Sequence, residues 1–152
     1  MDEEQVKARL MSLLENQQLA VLATVMDGQP HCNIVAFAHT DDLRHVLFAT
    51  PRDSRKYESL VEHPEVSMLV DSRANAPSDL QEAEAVTIDG TARDLCGEKA
   101  QFVGLYLRKH GTLRDFVLAP ETALICLDVC RFKLVTHFQD VYFAEPPREG
   151  AG

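Results

Sequence analysis

The chain has 152 residues, 45% of them hydrophobic and 26% charged, with 7 Gly and 7 Pro; that suits one compact domain with a true core and excludes a disordered or fibrous polymer. Fifteen basic against twenty-four acidic side chains leave a formal charge of −9 at pH 7, a field that repels phosphodiester polymers and anionic bilayers, so no nucleic acid and no membrane is expected as a partner. Four scattered cysteines are too few for a disulfide scaffold and include no C-x-x-C pair to suggest a structural zinc site, and the acidic start Met1-Asp2-Glu3-Glu4 lacks a signal-peptide pattern, so the cytoplasm is the expected compartment.

Val6, Leu10, Leu13 and Leu14 recur at helical spacing behind a capping Asp2, and predict an opening amphipathic helix that ends near Asn16. Leu19–Val25 is an apolar run of strand length, Asp27-Gly28 is a hairpin signal, and His31–Ala38 is the partner strand. On that strand Cys32, Ile34, Ala36 and Ala38 share one face, His31, Asn33, Val35 and Phe37 the other, and both faces are expected to be at least partly covered. A turn at Thr40-Asp41-Asp42 leads to a third strand, Arg44–Thr50, which completes an antiparallel meander. A short helix over Arg55–Glu62 follows, capped by Ser54 or Asp53 and stopped by Pro64.

The remaining pattern is a strand at Val66–Asp71, a polar loop over Arg73–Glu82, and a strand at Ala85–Leu95 with Gly90 as a bulge or close-approach point. Glu98–His110 reads as a helix with Phe102, Leu105 and Tyr106 on its core face; a helical turn is expected at Leu113–Leu118. Thr122–Val129 and Phe132–Phe138 read as two further strands, with Val141–Phe143 as a last extension. The layers are those of an α+β protein on an antiparallel sheet or barrel with peripheral helices. Residues 1–144 form the expected domain, and Glu145–Gly152 a flexible tail.

The stretch Thr50-Pro51-Arg52-Asp53-Ser54-Arg55-Lys56 carries chemistry. A strand hands over to a helix there, so first-turn N–H groups and the positive end of the helix dipole meet three cations and the hydroxyls of Thr50 and Ser54. A terminal phosphate suits such a place, with Arg55 able to grip two oxygens and Lys56 acting as a point charge; cations solvated on a surface turn are the ordinary alternative. The six histidines form no spaced ligand set, and no metal is expected. Cys126 and Cys130, four apart on a strand and so ~13 Å apart, are expected to point the same way as buried thiols.

The order Ala49-Thr50, Ser54-Arg55-Lys56, Leu60, His63-Pro64, Val66-Ser67-Met68-Leu69 resembles the pyridoxamine 5′-phosphate oxidase family of FMN-binding split barrels. Leu22-Ala23-Thr24-Val25, Asp27-Gly28 and Pro30-His31 upstream, and Ala85–Ala92 downstream, extend the likeness over residues 5–95. The resemblance implies an antiparallel split β-barrel, FMN as cofactor, and a homodimer with the flavin site at its interface. It implies that Ala49, Thr50, Ser54, Arg55 and Lys56 meet the phosphate and ribityl chain, while Asn33, Ile34, Val35 and Ala36 lie along the isoalloxazine. Strand two lacks the basic pair of family enzymes that act on pyridoxamine phosphate, Ala85 or Glu84 stands near their Gln, and neither Arg131-Phe132-Lys133 nor Thr136-His137-Phe138 reproduces their C-terminal Arg-x-His motif. Oxidation of pyridoxamine phosphate is therefore not expected. The expected function is an FMN-dependent oxidoreductase for another small molecule; the alternatives are a non-enzymatic flavin or electron carrier, a split-barrel haem-binding or haem-degrading protein using His137, and a deazaflavin user.

Overall fold

The structure, a computed structural model, describes residues 1–148. Helix α1 (Glu3–Asn16) opens with the expected cap: the Asp2 carboxylate accepts the Gln5 N–H at 2.8 Å and the Gln5 side chain accepts the Asp2 N–H at 2.9 Å. Strands β1 (Leu19–Met26) and β2 (Gln29–His39) form a hairpin across Asp27 and Gly28, both at positive φ as a primed turn requires. Strand β3 (His45–Pro51) completes the meander, then α2 (Arg55–Glu62) leads into β4 (Glu65–Asp71). A one-turn helix α3 (Asp79–Glu82) lies within the stretch expected to be a loop; the Asp79 carboxylate draws the N–H groups of Ala74, Asn75 and Ala76 and so organises the segment before it.

Strand β5 (Ala85–Asp94), helix α4 (Lys99–Lys109), a 3₁₀ turn (Gly111–Leu113) and helix α5 (Arg114–Leu118) precede β6 (Thr122–Thr136) and β7 (Asp140–Ala144). The two strands expected over Thr122–Val129 and Phe132–Phe138 are thus one of 15 residues. Gly90 pairs with Val129 and Asp89 with Arg131, so Cys130 is the extra residue of a β-bulge that bends β6 without breaking it. The bulge also overturns the expected pair of buried thiols: Cys126 is buried, whereas Cys130 is exposed. Phe138 is not in the strand; His137 and Phe138 make the β6–β7 turn at positive φ. The expected tail continues from β7 over Glu145–Arg148, where it lines a cavity; residues 149–152 lie outside the described residues.

The strand order is β3-β2-β1-β4-β5-β6-β7, and pairing of β3 with β6 closes the first six strands into an antiparallel barrel, leaving β7 outside. The α+β split-barrel expectation holds. The closure is uneven: β3 and β6 pair over seven residues, from His45↔Asp128 to Pro51↔Thr122, whereas β2 and β3 pair only at Phe37↔Phe48, Ala38↔Leu47 and His39↔Val46. Beyond that the two strands part. The inside of the barrel holds Leu22, Phe37, Phe48, Met68, Ile88 and Phe132, joined by Leu10 and Leu14 of α1 and Leu60 of α2. Outside, α4 and α5 lay Tyr106 and Val117 on Ala38, Leu47, Leu124 and Cys126 as a second cluster.

Helix α4 also finishes the backbone beside the split. The carbonyl of Ala36, just past the last β2–β3 pair, accepts the Tyr106 hydroxyl at 3.1 Å, and that of Phe37 accepts His110 Nε2 at 2.7 Å. Lys109 Nζ caps the end of α1 at the Leu14 carbonyl (2.9 Å) and stands 4.0 Å over the Phe37 ring; burial pushes its pKa down to about 8.

Two expected outcomes follow from these contacts. A Cβ at Gly90 would stand 2.3 Å from the Asp128 carbonyl oxygen, so Gly90→Ala should destabilise the fold by about 3 kcal/mol, measured as a lowered urea midpoint; an unchanged midpoint would refute the close approach. His110 is held below the ordinary histidine value, chiefly by burial. An unfolded chain takes up its proton near about pH 6.5 and the folded one only at lower pH, so stability should fall as the pH drops through that window. His110→Asn should flatten that part of the slope in urea titrations at about pH 7 and about pH 5.

Candidate functional site

The handover from β3 to α2 is fixed by two small networks. Ser54 caps α2: its hydroxyl accepts the Tyr57 N–H (3.1 Å) and donates to the Pro51 carbonyl (2.8 Å), which leaves the Thr50 hydroxyl to donate to Ser54 Oγ at 2.9 Å. Thr50 is fully buried, so both hydroxyls hold the loop instead of facing outward. Arg52 turns away from the helix start. Its guanidinium meets Asp94 at 3.3 and 3.4 Å and the Pro120 carbonyl at 2.6 Å, while the Tyr57 hydroxyl donates to the same Asp94 at 2.9 Å. The hydrogen bond to Asp94 raises the pKa of both Arg52 and Tyr57. Of the three cations in this stretch, Arg52 is thereby committed to the scaffold.

Arg55 and Lys56 are not. Among the described residues neither side chain has a hydrogen-bond or ion-pair partner, and their backbone N–H groups at the helix start have no acceptor, since the first bonded amides are Tyr57 and Glu58. Arg55 is exposed; Lys56 is half-buried, and loss of hydration lowers its pKa. Two open amides, a dipole end and two unpaired cations in one turn favour an anion. An anionic group there would restore to Lys56 the compensation that burial removes.

Asn33, Ile34, Val35 and Ala36 lie on the part of β2 that has left β3, opposite the end of β3 that carries Ala49 and Thr50. The expectation that both faces of β2 are covered holds only from Val35 onward. Cys32 and Asn33 are exposed and Ile34 is 69% exposed, because this half of the strand is paired with β1 alone. Val35 points into the core, and Ala36 and Ala49 are half-buried beside the α4 cluster. The outer face of Ile34, with Leu19, Val21 and Leu69, lines a cavity of about 210 Å³. That volume is below the roughly 300–1,000 Å³ of ordinary ligand sites. It shares Leu69, Asp71 and Arg73 with an apolar cavity of about 660 Å³ walled by Leu80, Ala85, Val135 and Phe138. Of the two residues expected near the family's Gln, Ala85 faces this trough, and Glu84 faces it while pairing with Arg9 of α1.

A second cluster was invisible in the spacing. His45 on β3 lies opposite Asp128 on β6, two residues from Cys126, and Arg93 on β5 lies opposite Cys126. His45 Nδ1 and Asp128 Oδ1 are 2.8 Å apart, and Arg93 Nε donates to Asp128 Oδ2 at 2.7 Å. Burial pushes the Cys126 thiol up to about 12, so it is protonated and not a reactive nucleophile. No helix among the described residues is long and apolar enough to cross a membrane.

A six-stranded antiparallel barrel, parted between β2 and β3 and flanked by a cation-bearing helix start, defines the split-barrel class. The chain belongs to the pyridoxamine 5′-phosphate oxidase family, whose model matches residues 6–135. It is 29% identical over 70 residues to general stress protein 26 of Bacillus subtilis (strain 168), covering 46% of this chain and 49% of that one; the match therefore spans about half the length of this curated relative. Among solved structures, the heme binding protein from Mycobacterium smegmatis superposes with a TM-score of 0.81 at 16% identity, over 95% of this chain and 59% of that one. A FAD-binding protein from Mesorhizobium loti does so with a TM-score of 0.66 at 18% identity, over 84% and 91%. At these identities the structural likeness shows the fold.

Proposed function

We propose that the chain is an FMN-binding protein of the oxidoreductase type, which takes the FMN phosphate at the start of α2 and the isoalloxazine along the parted half of β2. The observation that carries this reading is the pair Arg55 and Lys56, both without side-chain partners among the described residues, over two open amides in an otherwise acidic chain. Only a ligand with a terminal anion uses all four groups. Asn33 adds a side-chain amide on the exposed strand, and Ala36 and Ala49 keep the approach to the backbone low. Bound FMN would supply hydride or electron transfer, and the chain would orient it and tune its potential. The absence of a basic pair on β2 and the presence of Glu84 and Ala85 near the trough support a substrate other than pyridoxamine phosphate.

The same reading includes a homodimer. The trough over Leu19, Ile34, Leu69, Leu80 and Phe138 is apolar, open and too shallow beside Ile34 to enclose a tricyclic ring, so a second copy of the chain is proposed as its other wall.

Replacing Arg55 and Lys56 by Ala should remove two charged hydrogen-bonding groups, together worth about 3 kcal/mol, or about a hundredfold in FMN affinity. Riboflavin, which lacks the phosphate, should lose little. Equal weakening of both, or a Soret band from haem in protein that takes up no flavin, would overturn the reading. Ile34→Glu, at an exposed position where monomer stability should change by less than about 0.5 kcal/mol, should yield monomers in sedimentation and release the flavin. A dimer that keeps its flavin would remove the partner wall from the proposal.

A further inference from the structure

The cluster on the outer wall of the barrel, where β3, β6 and β5 run side by side, has no part in the flavin reading and stands independently of it. His45, Cys126 and Asp128 each turn one donor atom to a common point: Nδ1 and Oδ1 are 2.8 Å apart, Sγ and Oδ1 3.4 Å, and Sγ and Nδ1 3.6 Å. Around a tetrahedral zinc with bonds of about 2.0–2.3 Å, donor atoms stand roughly 3.3–3.6 Å from one another. The two sulfur separations already have that value, and the imidazole–carboxylate pair has to open by roughly half an ångström. We propose that His45 Nδ1, Cys126 Sγ and Asp128 Oδ1 form a three-ligand site for a divalent cation of the zinc type.

The surroundings fit a metal centre in three respects. A thiolate, an imidazole and one carboxylate are a borderline donor set, which selects zinc or another late first-row ion over magnesium or calcium. Arg93 holds the other carboxylate oxygen, Oδ2, at 2.7 Å, so Asp128 presents Oδ1 in a fixed direction. His45 and Asp128 line a polar cavity of about 560 Å³ together with Arg44 and Glu145, whereas Cys126 lies beneath its wall. Three protein ligands leave the fourth position facing this cavity, open to water or a small anion. The chemistry balances without a redox partner: the cation replaces the thiol proton, which leaves to solvent, and neutral His45, whose Nδ1–H donates to Asp128 Oδ1 in the metal-free chain, shifts its single proton to Nε2 through solvent so that Nδ1 binds. The rigid strand pairs His45↔Asp128 and Leu47↔Cys126 hold all three residues in place before any ion arrives.

Cobalt(II) is the probe. Titrated into the folded protein, it should bind one ion per chain with a thiolate-to-metal charge-transfer band, be displaced by zinc and be untouched by magnesium. The band should vanish in Cys126→Ser and in His45→Ala and persist in Cys130→Ser, which removes the exposed thiol of the same cavity. His45 is only half-buried, so its truncation keeps the test valid if the Cys126 variant fails to fold, and the thermal midpoint of each variant is followed beside the band. An ordinary ion-pair network would give no band. That result, a band that survives Cys126→Ser, or one lost in Cys130→Ser overturns the site.

Discussion

The seam between β3 and β6 is the constraint on which the rest of the molecule depends. Seven residue pairs join His45–Pro51 to Thr122–Asp128, strands about eighty positions apart, and turn an open meander into a barrel. The seam sets where the chain enters α2: Arg52 N–H donates to the Glu121 carbonyl at 3.0 Å, Arg52 reaches Pro120, and Lys99 Nζ ties the Ala119 and Thr122 carbonyls to α4. On its other edge β3 keeps only three pairs with β2, and the split opens there.

Backbone groups released at a split need partners or water. Tyr106 and His110 of α4 supply them at Ala36 and Phe37, which locks the closed side of the split. Among the described residues nothing covers Cys32, Asn33 and Ile34 further along the strand. The barrel thus has one sealed shoulder and one open edge, and the open edge lies opposite the end of β3 that leads into α2. Sorting of the cations there is a matter of partners: Asp94 claims Arg52, whereas Arg55 and Lys56 have no side-chain partner among the described residues.

The elements legible in the sequence were those fixed by neighbouring residues. Asp2 and Ser54 as caps, Asp27-Gly28 as a turn, Gly90 as a close approach and the core face of α4 through Tyr106 all depend on contacts within a few positions or on one residue's geometry. The order of residues around Ser54-Arg55-Lys56 was enough to reach the family, because that motif is a local strand–turn–helix unit. The unity of β6 was hidden, since Cys130-Arg131 looks like an interruption until Asp89 and Gly90 are seen to absorb the extra residue. The fate of Thr50 was hidden as well; a hydroxyl beside a phosphate motif looks available until its own partner, Ser54, is placed.

By itself the amino-acid order determined helices α1, α2 and α4, the Asp27-Gly28 turn, the strands other than β6 and the cationic start of α2, because these answer to forces that act over one or two turns of chain. Only the tertiary structure decided which cation is spent on the scaffold, which half of β2 stays open and which thiol is buried. It alone brought His45 to Cys126 and Asp128. Those outcomes depend on cross-strand register, and register between segments about eighty residues apart is set by closure of the whole barrel.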